Sequence, residues 1–177
     1  MNNQTDNIST AFHWNEFDYQ VAKAVLGRAE TPEAIQYFSK HDLLLSNYGY
    51  WFMLSTLWVS NTDLTHLDLW KKLFASHRPN KQISLMKPNE LTIFKTLPNK
   101  LTVYRAHRPN ETDWIAYTLD KEVAFWFAKN RGTNQIDEYR IKKKDVLAVF
   151  LRREESEVIV LDKNIPKYQR TWVNRDF

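Results

Sequence analysis

The sequence predicts an α+β protein, in which a helical amino-terminal half is followed by a β-sheet with one main helix. Two observations support this. Before residue 97 apolar residues recur at the three-to-four-residue spacing of amphipathic helices, and after it they alternate with the period of two that strands show. The charge changes at the same place, because residues 1–94 carry 8 basic and 9 acidic side chains (8 − 9 = −1), whereas residues 95–177 carry 17 and 12 (17 − 12 = +5).

The first region, residues 1–96, is expected to contain four or five helices. A helical spacing of apolar residues begins at Trp14 and stops at Gly27, and Thr31-Pro32-Glu33 is typical of the start of a second helix. Residues 43–59 are apolar almost all round, as expected of a helix that is surrounded by others. An exposed face that binds a partner is the alternative for this segment. Two shorter helical patterns follow it.

The second region, residues 97–177, is expected to hold the sheet and to form one compact unit with the first. Four segments rich in β-branched and aromatic residues predict strands, and a shorter apolar segment predicts one more. The predicted strands are residues 101–107, 114–118, 135–141, 145–150 and 157–161. One helix is predicted between the second and third of these segments, with Asp120 as its N-cap and Ala124 and Ala128 on one face.

Composition and spacing exclude several classes of function. The chain has no cysteine, which excludes disulfide scaffolds, thiol catalysis and cysteine-ligated zinc, and its five histidines lie at no metal-ligand spacing, so no metal site is expected. Three glycines are too few for a dinucleotide fingerprint or a phosphate loop. No run approaches the roughly 18 apolar residues of a membrane span, and the amino terminus is too polar for a signal peptide, so we expect a cytoplasmic protein without a membrane partner.

Polar side chains in three of the predicted strands form the candidate site. Arg105 lies in the first strand, Thr118 ends the second, and Glu155 and Glu157 open the strand at 157–161. Charges are disfavoured on a half-buried sheet unless they are paired or hydrogen-bonded, so these residues need a physical reason. If the strands of Arg105 and Glu157 are neighbours, an arginine and two carboxylates converge. A cross-strand ion pair at a sheet edge is the alternative explanation.

Three groups of residues in this region resemble a known family. They are the strand segment Val103-Tyr104-Arg105-Ala106, the segment 114–120 that leads into the helix at 122–128, and the strand start Glu155-Ser156-Glu157. In this order and on these elements they resemble the ADP-ribosyltransferase fold. They are most similar to the arginine-serine-glutamate class of small mono-ADP-ribosyltransferases from bacteria and phages. The resemblance covers residues 101–161.

The resemblance implies NAD as the substrate and a role for four residues. Arg105 would hold a phosphate and a ribose of NAD, and Thr118 would brace the pocket. Glu157 would hydrogen-bond the nicotinamide ribose and stabilise positive charge as the glycosidic bond breaks, while Glu155 would polarise the acceptor. Independently of the resemblance, the aromatic residues expected to contact NAD are Tyr104, Tyr117 and Phe127, for which core packing is the alternative.

The implied activity is transfer of ADP-ribose from NAD to a macromolecular acceptor, in the first place protein arginine, with release of nicotinamide. Water in place of this acceptor would make the protein an NAD glycohydrolase. Two departures from the class leave the acceptor open. Ala116 and Tyr117 stand where the class has Ser-Thr, and only a short loop separates Phe150 from Glu155.

Two alternatives come from other classes of function. The first is a non-enzymatic interaction or inhibitor protein, encoded by a phage, that keeps the same fold and covers a protein partner. The second is nucleic-acid binding through the basic run Lys142-Lys143-Lys144 and nearby Arg140, although such a run is more typical of a solvated turn. For each function we expect the cytoplasm of a bacterial or phage-infected cell.

Overall fold

The computed structural model describes residues 7–28, 31–61 and 65–175. Within these ranges the chain forms seven α-helices and an open six-stranded antiparallel sheet, so the predicted α+β class and the helical amino-terminal half are confirmed. The chain groups into two compact units, Met1–Thr92 and Ile93–Phe177. None of the helices in the described ranges is long and apolar enough to span a membrane.

Six helices precede the sheet in the described part of the chain, where four or five were predicted. They are α1 (Glu16–Leu26), α2 (Glu33–His41), α3 (Asn47–Ser60), α4 (Leu67–Phe74), α5 (Lys81–Leu85) and α6 (Pro88–Thr96). Two of them begin at capping side chains. Asn15 accepts a hydrogen bond from the backbone N–H of Asp18 at 3.1 Å, and the Ser46 hydroxyl accepts one from the N–H of Gly49 at 2.9 Å.

Helix α3 packs against α1, α2 and α5 at the centre of the first unit. It is buried on nearly all sides, with Trp51 and Leu54 fully buried, so the prediction of a surrounded helix is confirmed. A Cβ atom at Gly49 would overlap the carboxyl group of Asp18 on α1. That carboxylate accepts hydrogen bonds from the N–H and the hydroxyl of Ser46 at 2.8 and 2.5 Å. A side chain at position 49 would therefore displace the Asp18 carboxylate and disturb these hydrogen bonds.

Six strands form the sheet in the second unit. They are β1 (Lys100–Arg105), β2 (Ala116–Thr118), β3 (Gln135–Lys142), β4 (Ala148–Phe150), β5 (Glu157–Ile159) and β6 (Lys167–Val173). Five of them lie in segments that the sequence predicts as strands. Strand β6 was not predicted, because nearly all its side chains are exposed and it shows no alternation of buried and exposed residues.

The strand order, β4-β5-β2-β1-β3-β6, positions the candidate site. Strands β1 and β5 are not neighbours, because β2 lies between them and pairs with both. Helix α7 (Lys121–Asn130) follows β2 and is capped by Asp120, whose carboxylate accepts a hydrogen bond from the N–H of Glu122 at 2.8 Å. Its small residues Ala124 and Ala128 pack against Ala106 and Ile136, so the helix lies close against one face of the sheet.

Candidate active site

The residues that the sequence singles out meet in one small cleft of the second unit. The cleft lies where β1, β2 and β5 meet α7, and its volume is about 70 Å³. All seven predicted site residues line it, together with Arg131 and three alanines. The full lining is Tyr104, Arg105, Ala106, Ala116, Tyr117, Thr118, Ala124, Phe127, Arg131, Glu155 and Glu157.

The register of the strands brings Tyr104, Thr118 and Glu157 side by side. Tyr104 on β1 is paired with Thr118 on β2, and Thr118 is paired in turn with Glu157 on β5. Directly paired residues of antiparallel strands point to the same face, with Cβ atoms about 4.5–5.5 Å apart. The Glu157 carboxylate is therefore presented on the same face as the Thr118 hydroxyl. Glu157 is half-buried and Thr118 is buried.

Thr118 ties the loop after β4 to the start of α7. Its hydroxyl donates a hydrogen bond to the backbone carbonyl of Glu155 at 2.7 Å and accepts one from the N–H of Asp120 at 3.0 Å. One residue further on, the N–H of Leu119 donates to the carbonyl of Ser156 at 3.0 Å. A single buried hydroxyl group thus fixes the position of Glu155 relative to the helix that forms another wall of the cleft.

The loop that carries Glu155 has an uncommon backbone. Arg153, Glu154 and Ser156 have φ values of 64°, 60° and 45°, in the left-handed region that residues with a side chain rarely adopt. Glu155 between them has a right-handed conformation, and its carboxylate forms an ion pair with Arg153 at 3.0 Å. Strained backbone of this kind persists only where its surroundings fix it, and it clusters at functional sites.

Arg105 is buried and its guanidinium group is engaged within the protein. Its Nε and Nη2 donate to the two carboxylate oxygens of Glu111 at 3.0 and 2.5 Å, and its Nη1 donates to the carbonyl of Ala116 at 2.5 Å. Two parallel bonds to one carboxylate are the strongest arrangement that an arginine makes. This ion pair with Glu111 accounts for the charge of Arg105 without a cross-strand partner.

Glu111 is the partner that sequence reasoning missed. Burial raises the pKa of its carboxyl group, but hydrogen bonds from His107 and Arg105 and their charges outweigh burial and lower the pKa to about 2. His107 Nδ1 lies 2.9 Å from Glu111 Oε2, and His107 Nε2 lies 2.8 Å from the hydroxyl of Tyr139. One signal in the sequence could have identified it. A buried arginine needs an acidic partner, and Glu111 is the first acidic residue after Arg105.

Arg131, just after the last residue of α7, is the second cation of the cleft and was also missed. It donates a hydrogen bond from Nη1 to the carbonyl of Ala106, and its guanidinium carbon lies 5.0 Å from the ring centre of Phe127. Burial lowers its pKa to about 10, helped by the charges of Arg105 and Arg108. A group with this pKa remains protonated at neutral pH, so Arg131 adds a full positive charge to the cleft.

The three predicted aromatic contacts differ in how they are placed. Tyr117 is buried, its hydroxyl accepts a hydrogen bond from the indole N–H of Trp114 at 2.7 Å, and burial raises its pKa to about 12. Its ring packs edge-on against Tyr139 and belongs to the core. Tyr104 and Phe127 are only half-buried and pack beside α7, so they retain surface that faces the cleft.

Comparisons with known proteins return no match: no family model fits the sequence, and searches of the curated proteins and of the solved structures find nothing significantly similar. The site combines two carboxylates, two guanidinium groups and aromatic surface. No group of three histidine, aspartate or glutamate residues in the described ranges is arranged to hold a metal ion. The charged side chains of the cleft can stabilise charge on a bound molecule and form hydrogen bonds with it.

Proposed function

We propose that the protein is a mono-ADP-ribosyltransferase, a bacterial or phage effector that moves ADP-ribose from NAD to a protein acceptor and releases nicotinamide. The observation that carries the proposal is the convergence of Arg105, Thr118, Glu155 and Glu157 in one cleft. These residues come from separate segments that are similar, in order and in type of element, to the arginine-serine-glutamate class. Their convergence in one cleft supports a common task.

Glu157 is the proposed catalytic residue. Breaking the bond between nicotinamide and ribose leaves positive charge on the sugar, and a fixed carboxylate stabilises that charge in the transition state, as in glycoside hydrolysis. Strand pairing with Thr118 holds Glu157 in place before the reaction, so little reorganisation is needed. Because this interaction strengthens only as the bond breaks, loss of the charge is expected to lower kcat much more than it weakens NAD binding.

The two arginines of the cleft divide the work differently from the role that the resemblance implies for Arg105. Arg105 already donates to Glu111 and to the Ala116 carbonyl, so its proposed role is that of a positioning residue in the lining of the cleft. Arg131 has one hydrogen bond to a described residue, and a guanidinium group has five N–H donors. Arg131 is therefore the proposed contact to the NAD phosphates, a role suited to a planar fork of donors.

The size of the cleft limits how NAD fits. A volume of about 70 Å³ is well below the roughly 300–1,000 Å³ of most small-molecule sites. Only the reacting end of the dinucleotide fits inside, and the remainder lies outside it. Glu155, on the loop beside this end, is the proposed contact to the acceptor, since a carboxylate orients a guanidinium group through paired hydrogen bonds. With water in that place the same site would act as an NAD glycohydrolase.

The test is label transfer from NAD that carries radioactive phosphate next to adenosine, in the presence of a bacterial lysate. Glu157→Gln is expected to lower transfer about 10²- to 10³-fold, the usual effect of removing one group that stabilises transition-state charge. Glu154→Gln is the matched control, because Glu154 is an exposed member of the same acidic run that does not line the cleft. Chromatography of released nicotinamide and ADP-ribose separates transfer from hydrolysis. Equal labelling by wild type and Glu157→Gln would remove the assigned mechanism.

One observation favours a second candidate, a non-enzymatic binding protein on the same fold. The strand arginine forms a bidentate ion pair inside the protein, as in a purely structural core. Calorimetry separates the two candidates: an enzyme binds NAD, whereas no heat of binding at millimolar NAD favours a protein that acts by covering a partner.

A further inference from the structure

A second concave site lies at the opposite end of β1 from the cleft. Strand β1 begins at Lys100 in this site and ends at Arg105 in the cleft. We call the second site the basic groove. Its volume is about 600 Å³, and it is lined by Lys100, Arg140, Ile141, Lys142, Lys144, Asp145, Ile165 and Lys167.

The groove concentrates positively charged side chains. Five of its lining residues are cationic and one, Asp145, is acidic (5 − 1 = +4), which equals the formal net charge of the whole chain. No residue in the described part of the chain forms an ion pair with any of the five cations. The five cations form a local concentration of positive charge in one concavity, and such a concentration raises the local concentration of anions.

The sheet register places four of these cations on one face in positions that repel each other. Lys100 on β1 is paired directly with Lys142 on β3, and Arg140 on β3 is paired directly with Lys167 on β6. Arg140 and Lys142 are two residues apart on one strand and so point to the same side. Like charges at directly paired positions are unfavourable. A multiply charged anion lying across three strands would remove this repulsion.

The middle residue of the lysine run shows that the arrangement is not a simple consequence of a basic turn. Lys143 points away from the groove: its ammonium group donates a hydrogen bond to the carbonyl of Lys95 at 2.6 Å and lies 5.7 Å from the ring centre of Phe94. Its neighbours Lys142 and Lys144 line the groove. The sequence alone suggests that this run is a solvated turn. In the structure two of its lysines line the groove and the middle one contacts the end of α6 instead.

We propose that the basic groove binds a small ligand that carries two or more phosphate groups and an apolar portion. Its volume falls in the range of small-molecule sites, and the partly exposed Ile165 supplies apolar surface beside the cations. A nucleic acid is disfavoured, because binding of single strands relies on aromatic platforms, and the described lining of the groove includes no aromatic residue. The proposed site is separate from the cleft and does not depend on the proposed enzymatic function.

Calorimetry with ATP, tripolyphosphate and adenosine tests the proposal. Wild-type protein is expected to bind ATP and tripolyphosphate, with an affinity that falls as salt rises, and to bind adenosine far more weakly. The double variant Lys142→Gln/Lys167→Gln is expected to bind both anions at least about tenfold more weakly. Lys143→Gln is the matched control from the same run and is expected to bind like wild type. Both altered lysines of the double variant are exposed, so the fold is expected to survive, and circular dichroism checks this.

Three results would overturn the proposal. The first is absence of ATP and tripolyphosphate binding by the wild type, and the second is equal affinity for adenosine and ATP. The third is loss of binding in Arg131→Gln but not in the double variant, which would place the ligand in the cleft. A fluorescein-labelled single-stranded RNA that binds more tightly than ATP would identify a nucleic-acid surface instead and would also refute the small-ligand assignment.

Discussion

The two ends of β1 place cationic side chains in opposite situations. At the cleft, Arg105 is buried and hydrogen-bonded to Glu111 and to a backbone carbonyl, so its charge is balanced inside the protein. At the basic groove, Lys100 and Lys142 are exposed and face each other without a described acidic partner. A buried charge is costly unless it is paired, whereas an exposed charge is stabilised by water and remains accessible to a ligand. In the described sheet the most buried arginine is therefore already paired inside the protein, whereas the exposed cations of the groove are more available to a ligand.

The largest expected effect comes from removing the charge of Glu111. Glu111→Gln leaves the buried Arg105 without its counter-ion and is expected to destabilise the protein by about 3–5 kcal/mol. Urea unfolding followed by fluorescence measures this. The exposed Glu154→Gln makes the same chemical change and is expected to stay within about 0.5 kcal/mol of wild type. A small effect of Glu111→Gln would mean that the ion pair of Arg105 contributes no more to stability than the exposed lysines of the groove, contrary to the difference drawn above.

Acid is expected to act on the same pair. The pKa of Glu111 is lowered to about 2 in the folded protein, below its ordinary value, so its contribution to stability is present above that ordinary value and is lost as the pH falls toward 2. The contribution is on the order of 3 kcal/mol. Unfolding free energies measured from neutral pH down to about pH 3 should show a steeper decline for wild type than for Glu111→Gln. Parallel curves would contradict the assignment of this charge to the folded core.

A smaller effect is expected at Thr118, where the cleft depends on a neutral group. Thr118→Val keeps the shape but leaves the Glu155 carbonyl and the Asp120 N–H without their partner, at a cost of about 1–3 kcal/mol. Thr118→Ser keeps the hydroxyl and should retain most of the stability and of any NAD turnover. If valine and serine behave alike in unfolding and in turnover, the hydroxyl does not hold the loop.

The smallest expected effect on stability is an increase, at a lysine of the basic groove. Lys142→Gln removes one member of the like-charged pair with Lys100 and is expected to stabilise the protein by about 0.2–1 kcal/mol at low salt. Added salt should stabilise wild type more than the variant, because it screens the repulsion that the variant lacks. Lys143→Gln removes a charge outside the groove together with a hydrogen bond to the Lys95 carbonyl, so no stabilisation is expected there. Destabilisation by Lys142→Gln at low salt would show that the groove lysine is internally satisfied after all.

The sequence was sufficient where local pattern decides structure. Each of three elements is predicted by a signal that lies within a few residues. The signals are the cap at Asp120 for α7, the apolar segment for α3 and the alternation around Arg105 for β1. It was insufficient where the outcome depends on distant neighbours. The partner of Arg105 lies in an irregular loop, and Arg131 follows the end of a helix with no motif of its own. Strand β6 pairs through its backbone while nearly all its side chains are exposed, so composition gives no sign of it.

The left-handed residues of the loop before β5 have a consequence for engineering. Arg153 and Glu154 adopt a conformation that glycine accepts without strain, so glycine there would relieve local strain while giving the unfolded chain more freedom. It would also loosen the segment that aims Glu155. Directed evolution for heat resistance and selection for turnover should therefore diverge at these two positions, and this loop is where a trade-off between robustness and activity would first appear.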